Sequence, residues 1–93
     1  MIISFGDKRT REFAEGKRVG AFDGIQRSVS SKLAQLDAAT SVLDLRRPGN
    51  RFEALKGDRG GQYSIRINDQ WRICFEWPKG VSGPMNVSIV DYH

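Results

Sequence analysis

Trp71, Ile73, Phe75 and Trp77 alternate with Arg72, Cys74 and Glu76, the two-residue period of a strand with one face in a core. Tyr63, Ile65 and Ile67 do the same within Gln62 to Ile67. Asn68-Asp69-Gln70 between the two runs has the composition of a hairpin turn. Downstream, Pro78 to Pro84 reads as a connection. Asn86 to Tyr92 reads as a last strand, with Val87, Ile89 and Asp91 on one side and Val90 and Tyr92 on the other. Upstream, Pro48-Gly49-Asn50 is a turn, Arg51 to Leu55 a short strand and Gly57 to Gly61 a tight glycine-rich loop.

The first half of the chain has a different period. Ile25, Val29, Leu33 and Leu36 recur at helical spacing, with Gln26, Arg27, Ser30, Ser31, Lys32 and Gln35 on the other faces. Asp23 is the expected N-cap of this helix. A shorter, highly charged helix is expected from an Asp7 N-cap to about Glu15, with Phe13 and Ala14 as its apolar contribution and Gly16 at its end. Gly16 to Phe22 connects the two helices. Ile2, Ile3 and Phe5 read as an opening strand, and Leu43 and Leu45 as anchors of an irregular crossing segment. The order is strand, two helices and an antiparallel meander, which predicts an α+β fold. The N-terminal strand and two helices pack on one face of an antiparallel sheet and leave the other face open. At 93 residues the chain is read as one domain over 1–93, large enough for a single core.

Composition narrows the function classes. Fifteen Lys+Arg against eleven Asp+Glu give a net charge of +4, the balance of a protein drawn to polyanions. The excess is concentrated between Arg46 and Arg72, where Arg46, Arg47, Arg51, Lys56, Arg59, Arg66 and Arg72 meet only Glu53, Asp58 and Asp69. Cys74 is the single cysteine and His93 the single histidine, so neither an intramolecular disulfide nor a structural zinc site can form. The N-terminus turns charged at Asp7-Lys8-Arg9, too early for a signal peptide, and no apolar run approaches the roughly 20 residues of a membrane span. A soluble protein of a reducing compartment is expected, with the cytoplasm as its location and no membrane partner.

The chain closes on Asp91-Tyr92-His93, a carboxylate, a phenol and an imidazole in succession. With the arginines of the sheet's open face they suit one metal-free and cofactor-free reaction, RNA cleavage through the ribose 2′-hydroxyl. A base takes the hydroxyl proton, the oxygen attacks the adjacent phosphate, and an acid protonates the departing 5′-oxygen while cations stabilise the phosphorane. Asp91, Tyr92, His93 and Glu53 are the candidate bases and acids. Lys56, Arg66 and Arg72 are the candidate charge stabilisers, and Arg51 and Arg59 add to a phosphate-binding surface. Arginine suits this role because its planar fork binds phosphate through two parallel hydrogen bonds and stays charged. His93 can act as acid or base because an unperturbed imidazole titrates near ~6.5. Trp71, Phe75 and Trp77 are assigned to the core by their alternation. The glycine-rich loop has neither the spacing nor the strand-to-helix context of a nucleotide-binding loop.

The stretch Leu55-Lys56-Gly57-Asp58-Arg59 through Asn68-Asp69-Gln70-Trp71-Arg72-Ile73-Cys74-Phe75, with the Asp91-Tyr92-His93 end, resembles the HigB toxins, or plasmid-maintenance killer proteins, of the RelE/ParE superfamily. The likeness extends over essentially the whole chain. It implies a RelE/ParE-like fold and a ribosome-dependent mRNA endonuclease cutting in the ribosomal A site. It also implies neutralisation by a HigA-type helix-turn-helix antitoxin, in an oligomeric complex that binds its own operator through the antitoxin. Carried over by residue, it assigns Lys56 and Arg72 to phosphate binding and transition-state stabilisation, and Asp91, Tyr92 and His93 to acid–base chemistry and substrate positioning. Two positions depart from the pattern. Glu53 stands where some members carry a histidine, and Asn68, with Arg66 nearby, stands where others carry an arginine. Glu53 then either supplies the base or leaves that work to His93. Two other readings fit the same features: a non-enzymatic ParE-like toxin acting on DNA gyrase, and a basic RNA-binding module.

Overall fold

The apolar side of the alternating segments zips together in register. In a computed structural model, which describes residues 1–91, strands β1 (Glu53–Ala54), β2 (Gln62–Arg66), β3 (Trp71–Glu76) and β4 (Met85–Asp91) form one antiparallel sheet in the order β1-β2-β3-β4. Ile65 pairs with Ile73 and Ile73 with Ile89, and all three side chains are fully buried. Each such isoleucine contributes about 1.5–3 kcal/mol of transfer free energy. Against this face lie Val29, Leu33 and Leu36 of helix α2 (Gln26–Ala38), the stripe its spacing predicts.

Helix α1 (Lys8–Ala14) begins as expected, the Asp7 carboxylate accepting the Thr10 backbone N–H at 2.8 Å. The start of α2 differs from expectation. Asp23 does not cap it, because Gly24 and Ile25 separate it from the first turn and an N-cap must directly precede that turn. Asp23 pairs instead with Arg18, and the Gln26 side chain accepts the Gly24 N–H at 2.9 Å. The connector is set by Phe22, fully buried in a 3-10 turn over Gly20–Phe22 and edge-on to Phe13 at 5.6 Å and to Trp71 at 5.5 Å.

The opening strand is also corrected. Residues 2–6 do not form a regular strand but run parallel to the outer edge of β4 and make one isolated bridge, Phe5 to Val87. Ile3 donates to Pro84 O, Val87 to Ser4 O and Gly6 to Val87 O. Two features stop a regular ladder from forming: a bulge at Asn86, whose φ is 52°, and Pro84, which has no N–H. The backbones come so close that a Cβ on Gly83 would strike the Met1 carbonyl. Further along the same edge α1 takes over. The buried Thr10 hydroxyl accepts the Ile89 N–H at 3.0 Å, and Arg9 donates to the Ile89 carbonyl at 3.2 Å. An edge strand that would otherwise offer unpaired backbone to other chains is covered in this way.

Beyond α2 the chain crosses the end of the sheet. A 3-10 turn over Val42–Leu45 opens with a capping box between Ser41 and Asp44. The Asp44 carboxyl is held below its ordinary range chiefly by the Thr40 backbone N–H, then by the Thr40 hydroxyl and the Ser41 N–H. The following turn closes on Asn50, 1% exposed. Its amide donates to Gln35 and to the Leu45 carbonyl, both at 3.0 Å, and its oxygen accepts from Lys32 at 2.5 Å. Its own carbonyl accepts the Arg66 N–H at 2.6 Å. One residue thereby ties α2 and the crossing segment together through its side chain and β2 through its backbone. Asn50→Ala leaves buried partners unsatisfied and should cost about 2–3 kcal/mol. The melting temperature should fall by on the order of 10 °C, checked by thermal denaturation.

Candidate functional site

The short β1 strand and the turn after it bring Glu53, Lys56 and Arg59 to one edge of the sheet. Glu53 pairs with Ser64 in register. Lys56 then precedes a 3-10 turn over Gly57–Arg59, which turns the chain back within a few residues because Gly57 and Gly61 take positive φ. Glu53, Lys56 and Arg59 line one cleft of about 340 Å³. Arg59 also lines a neighbouring polar cleft of about 430 Å³ over the sheet face away from the helices, floored by Gln62, Cys74, Glu76 and Ser88. Its guanidinium reaches Cys74 Sγ at 3.5 Å. Burial pushes the Cys74 thiol up from its ordinary value, and the nearby Arg59 and Arg72 charges only partly offset it.

Arg72 departs from the picture of a cation displayed on an open face. It is 7% exposed, because β3 is an inner strand between β2 and β4 and neighbouring acceptors draw the guanidinium in. Its Nε donates to Ser64 Oγ at 2.9 Å and its Nη2 to the Arg51 carbonyl at 2.5 Å. The Glu53 carboxylate lies 4.0 Å from the same Nη2. An arginine fork locked by a hydroxyl and a carbonyl is a preorganised charge, fixed before any substrate arrives. Arg51 joins through its backbone, in a left-handed conformation at φ 44° that turns its carbonyl to the guanidinium. Arg66 is the register partner of Arg72 on the same face and pairs with the exposed Asp69.

Asp91 is placed elsewhere. It is in register with Trp71, so by strand alternation it lies on the opposite face from Arg72, and its carboxylate accepts from the Gln70 amide at 3.1 Å. The pleat accounts for the difference, since neighbouring residues of one strand point to opposite sides. Tyr92 and His93 lie outside the described residues. Glu53, Lys56, Arg59 and Arg72 are thus brought together, Arg66 adjoins them, and Asp91 is not among them. Ser64, Cys74 and Ser88 were not singled out in the sequence. Ser64 and Cys74 face each other across β2 and β3, and Cys74 faces Ser88 across β3 and β4, a relation that exists only once the register is set. Among the described residues no group of three or more His, Cys, Asp or Glu side chains could hold a metal ion, and no helix is long and apolar enough to cross a membrane.

Comparison with known proteins gives a consistent result. The family described as RelE-like toxin of type II toxin-antitoxin system HigB matches residues 3–93. The chain is 41% identical over 85 residues to Toxin HigB-1 of Vibrio cholerae, covering 88% of this chain and 90% of that one. It is 35% identical over 65 residues to Endoribonuclease HigB of Proteus vulgaris, covering 70% and 68%. Among solved structures it resembles the Staphylococcus aureus YoeB-YefM complex, with a TM-score of 0.61 at 16% identity over 100% of this chain and 98% of that one. It also resembles a YoeB/ParE toxin from Agrobacterium tumefaciens, with a TM-score of 0.54 at 16% identity over 99% and 97%. These structures share the fold, with two helices packed on a four-stranded antiparallel sheet.

The contact between Arg59 and Cys74 has a direct chemical readout. A buried thiol with a raised pKa is a poor nucleophile, so Cys74 should react with a disulfide reagent at pH 7.5 far more slowly than free cysteine. Arg59→Gln, which keeps most of the cover but removes a charge that favours the thiolate, should slow the reaction further, followed by the absorbance of the released thiolate.

Proposed function

The chain belongs to the HigB-like family of RelE-like toxins of type II toxin-antitoxin systems, and from that premise we propose that it is a ribosome-dependent endoribonuclease that cuts mRNA in the A site. The observation that carries this reading is the preorganised Arg72, anchored by Ser64 and the Arg51 carbonyl and 4.0 Å from Glu53, beside a cleft that Lys56 and Arg59 line. A fixed guanidinium next to a carboxylate and two cations suits a reaction in which a proton leaves and negative charge builds on phosphate.

In this mechanism the 2′-hydroxyl of the target ribose loses its proton and attacks the adjacent phosphorus. The P–O5′ bond breaks, and a proton returns to the departing 5′-oxygen, leaving a 2′,3′-cyclic phosphate. Arg72 and Lys56 stabilise the phosphorane, while Arg59, Arg66 and Arg51 hold flanking phosphates. The reaction draws on these side chains without a metal or cofactor. Glu53 is the candidate base on the described side of the site, with His93 as the partner acid. Val90, the register partner of Arg72, precedes His93 by three residues in the sequence, a span short enough for the tail to serve that site. Asp91 positions the tail through Gln70, and Tyr92 stacks on an unpaired base. The protein works in the cytoplasm, where its ribosome and mRNA are, and is held inactive by a HigA-type helix-turn-helix antitoxin in an oligomeric, operator-binding complex.

Primer-extension mapping of mRNA ends after induction tests the reading. Wild type should produce site-specific breaks and His93→Ala none, with folding and antitoxin binding retained. DNA damage without mRNA breaks would instead indicate a gyrase-directed toxin. Arg72→Lys keeps a charge but loses the fork that spans Ser64 and Arg51, and should lower cleavage by about 10²–10³-fold. Wild-type cleavage by that variant would return Arg72 to a purely structural role.

A further inference from the structure

Away from the Glu53 cleft, the turn from Arg47 to Asn50 gathers cations that the fold has no need to place together. Asn50 N–H donates to the Arg47 carbonyl at 3.1 Å, which closes the turn. The Lys32 ammonium reaches the Asn50 side chain from α2, and the Arg66 backbone N–H donates to the Asn50 carbonyl from β2. Lys32 meets Asn50 through its ammonium, and Arg47 and Arg66 meet it through their backbones, so three basic residues from three parts of the chain adjoin one residue, with Arg46 and Arg51 flanking the same turn in sequence. The Lys32 ammonium is held below its ordinary value, first by burial and then by the Arg47 and Arg66 charges. Carboxylates offset part of this crowding, Asp69 by pairing with Arg66 and Asp44 by its attraction to the Arg47 charge, but Lys32 has no ion pair among the described residues. Folding alone would select against such a cluster, since repulsion among like charges costs stability.

We propose that Lys32, Arg47 and Arg66 form a second phosphate site, which holds the RNA backbone beyond the bond to be cut. Arg66 connects the two sites. It faces Arg72 across β2 and β3, so a strand seated at Arg72 passes over Arg66 and around the end of the sheet toward Arg47 and Lys32. A bound phosphodiester relieves the repulsion the cluster otherwise carries. Arg47 is exposed, and its Nε donates at 3.3 Å to the Asp44 carbonyl, a contact that leaves most of its fork for a ligand. This inference rests on the RNA reading of the main site and adds the path of the strand.

The test uses the full chain and a labelled RNA oligonucleotide with 2′-O-methyl riboses, which binds but lacks the attacking hydroxyl. Affinity is followed by fluorescence anisotropy across a range of salt concentrations. Single-stranded RNA loses affinity with a log–log slope of about −0.7 per phosphate contact. Arg47→Gln should therefore weaken binding several-fold at low salt and make the slope shallower by about 0.7. Lys32→Gln, whose amide can still donate to Asn50, should do the same with little change in melting temperature. Arg47→Lys should retain most of the slope, and Lys79→Gln, on the connection before β4, should behave as wild type. Wild-type slopes in both Arg47→Gln and Lys32→Gln overturn the second site and leave the nuclease reading standing. Shallower slopes in a protein that makes no mRNA breaks after induction support the site and remove the nuclease. Failure of wild type to bind the oligonucleotide at any salt overturns the site directly.

Discussion

Burying the Arg72 guanidinium in the middle of the sheet is the constraint around which the functional half of this molecule is arranged. A guanidinium taken out of water is costly unless its N–H groups find acceptors. Here Ser64 supplies one from the neighbouring strand, and the Arg51 carbonyl supplies another from the segment leading into β1. Those demands determine where the chain can go. Arg51 adopts a left-handed conformation to aim its carbonyl, and that places Glu53 on the edge beside Arg72. The turn that follows then returns Arg59 over Cys74. The cleft at the β1 edge is in this sense a consequence of satisfying one buried charge.

The opposite layer follows ordinary core physics. Ile65, Ile73 and Ile89 pair across three strands, and Val29, Leu33 and Leu36 cover them from α2. Phe22 stands edge-on between Phe13 and Trp71 and joins the two helices to the sheet without a contribution from regular secondary structure. Arg9 lies over both Phe22 and Trp71, at 5.4 Å and 5.3 Å from the ring centres, and bonds β4 as well. The same few residues therefore close the core and protect the outer edge of β4. Rigidity on this side matters for the other, because the role proposed for the Arg72 fork needs a strand that does not move.

Different parts of the molecule were legible in the chain to different degrees. The alternation from Trp71 to Trp77 and the stripe through Ile25, Val29, Leu33 and Leu36 encode β3 and α2 directly, because burial of one face imposes a period that the residues themselves display. The Asp7 cap is local chemistry and was readable for the same reason. The opening segment was not, since Ile2, Ile3 and Phe5 are apolar enough for a strand and the Asn86 bulge and Pro84, both far away in sequence, prevent one. Asp23 has the right side chain for an N-cap, yet the buried Phe22 and the glycine after Asp23 move the helix start beyond its reach. Asn50 looked like a turn residue and nothing more, and its role as a hub exists only where α2, the crossing segment and β2 meet.

For the site, the residue types were readable and their arrangement was not. Basic residues concentrated between Arg46 and Arg72 raised the expectation of a polyanionic partner, and the terminal Asp91-Tyr92-His93 offered acid–base groups, because residue type and formal charge belong to side chains wherever they lie. Which of them share a face depends on strand register. A difference of one residue along β4 puts Asp91 beside Trp71 and Val90 beside Arg72. Arg72 reads as an exposed cation in the sequence and becomes a locked one only when Ser64 and the Arg51 carbonyl arrive from other parts of the chain. Period, charge and capping are local and survive in one dimension. Register, burial and the pairing of a buried charge are relations between distant residues, and only the folded chain decides them.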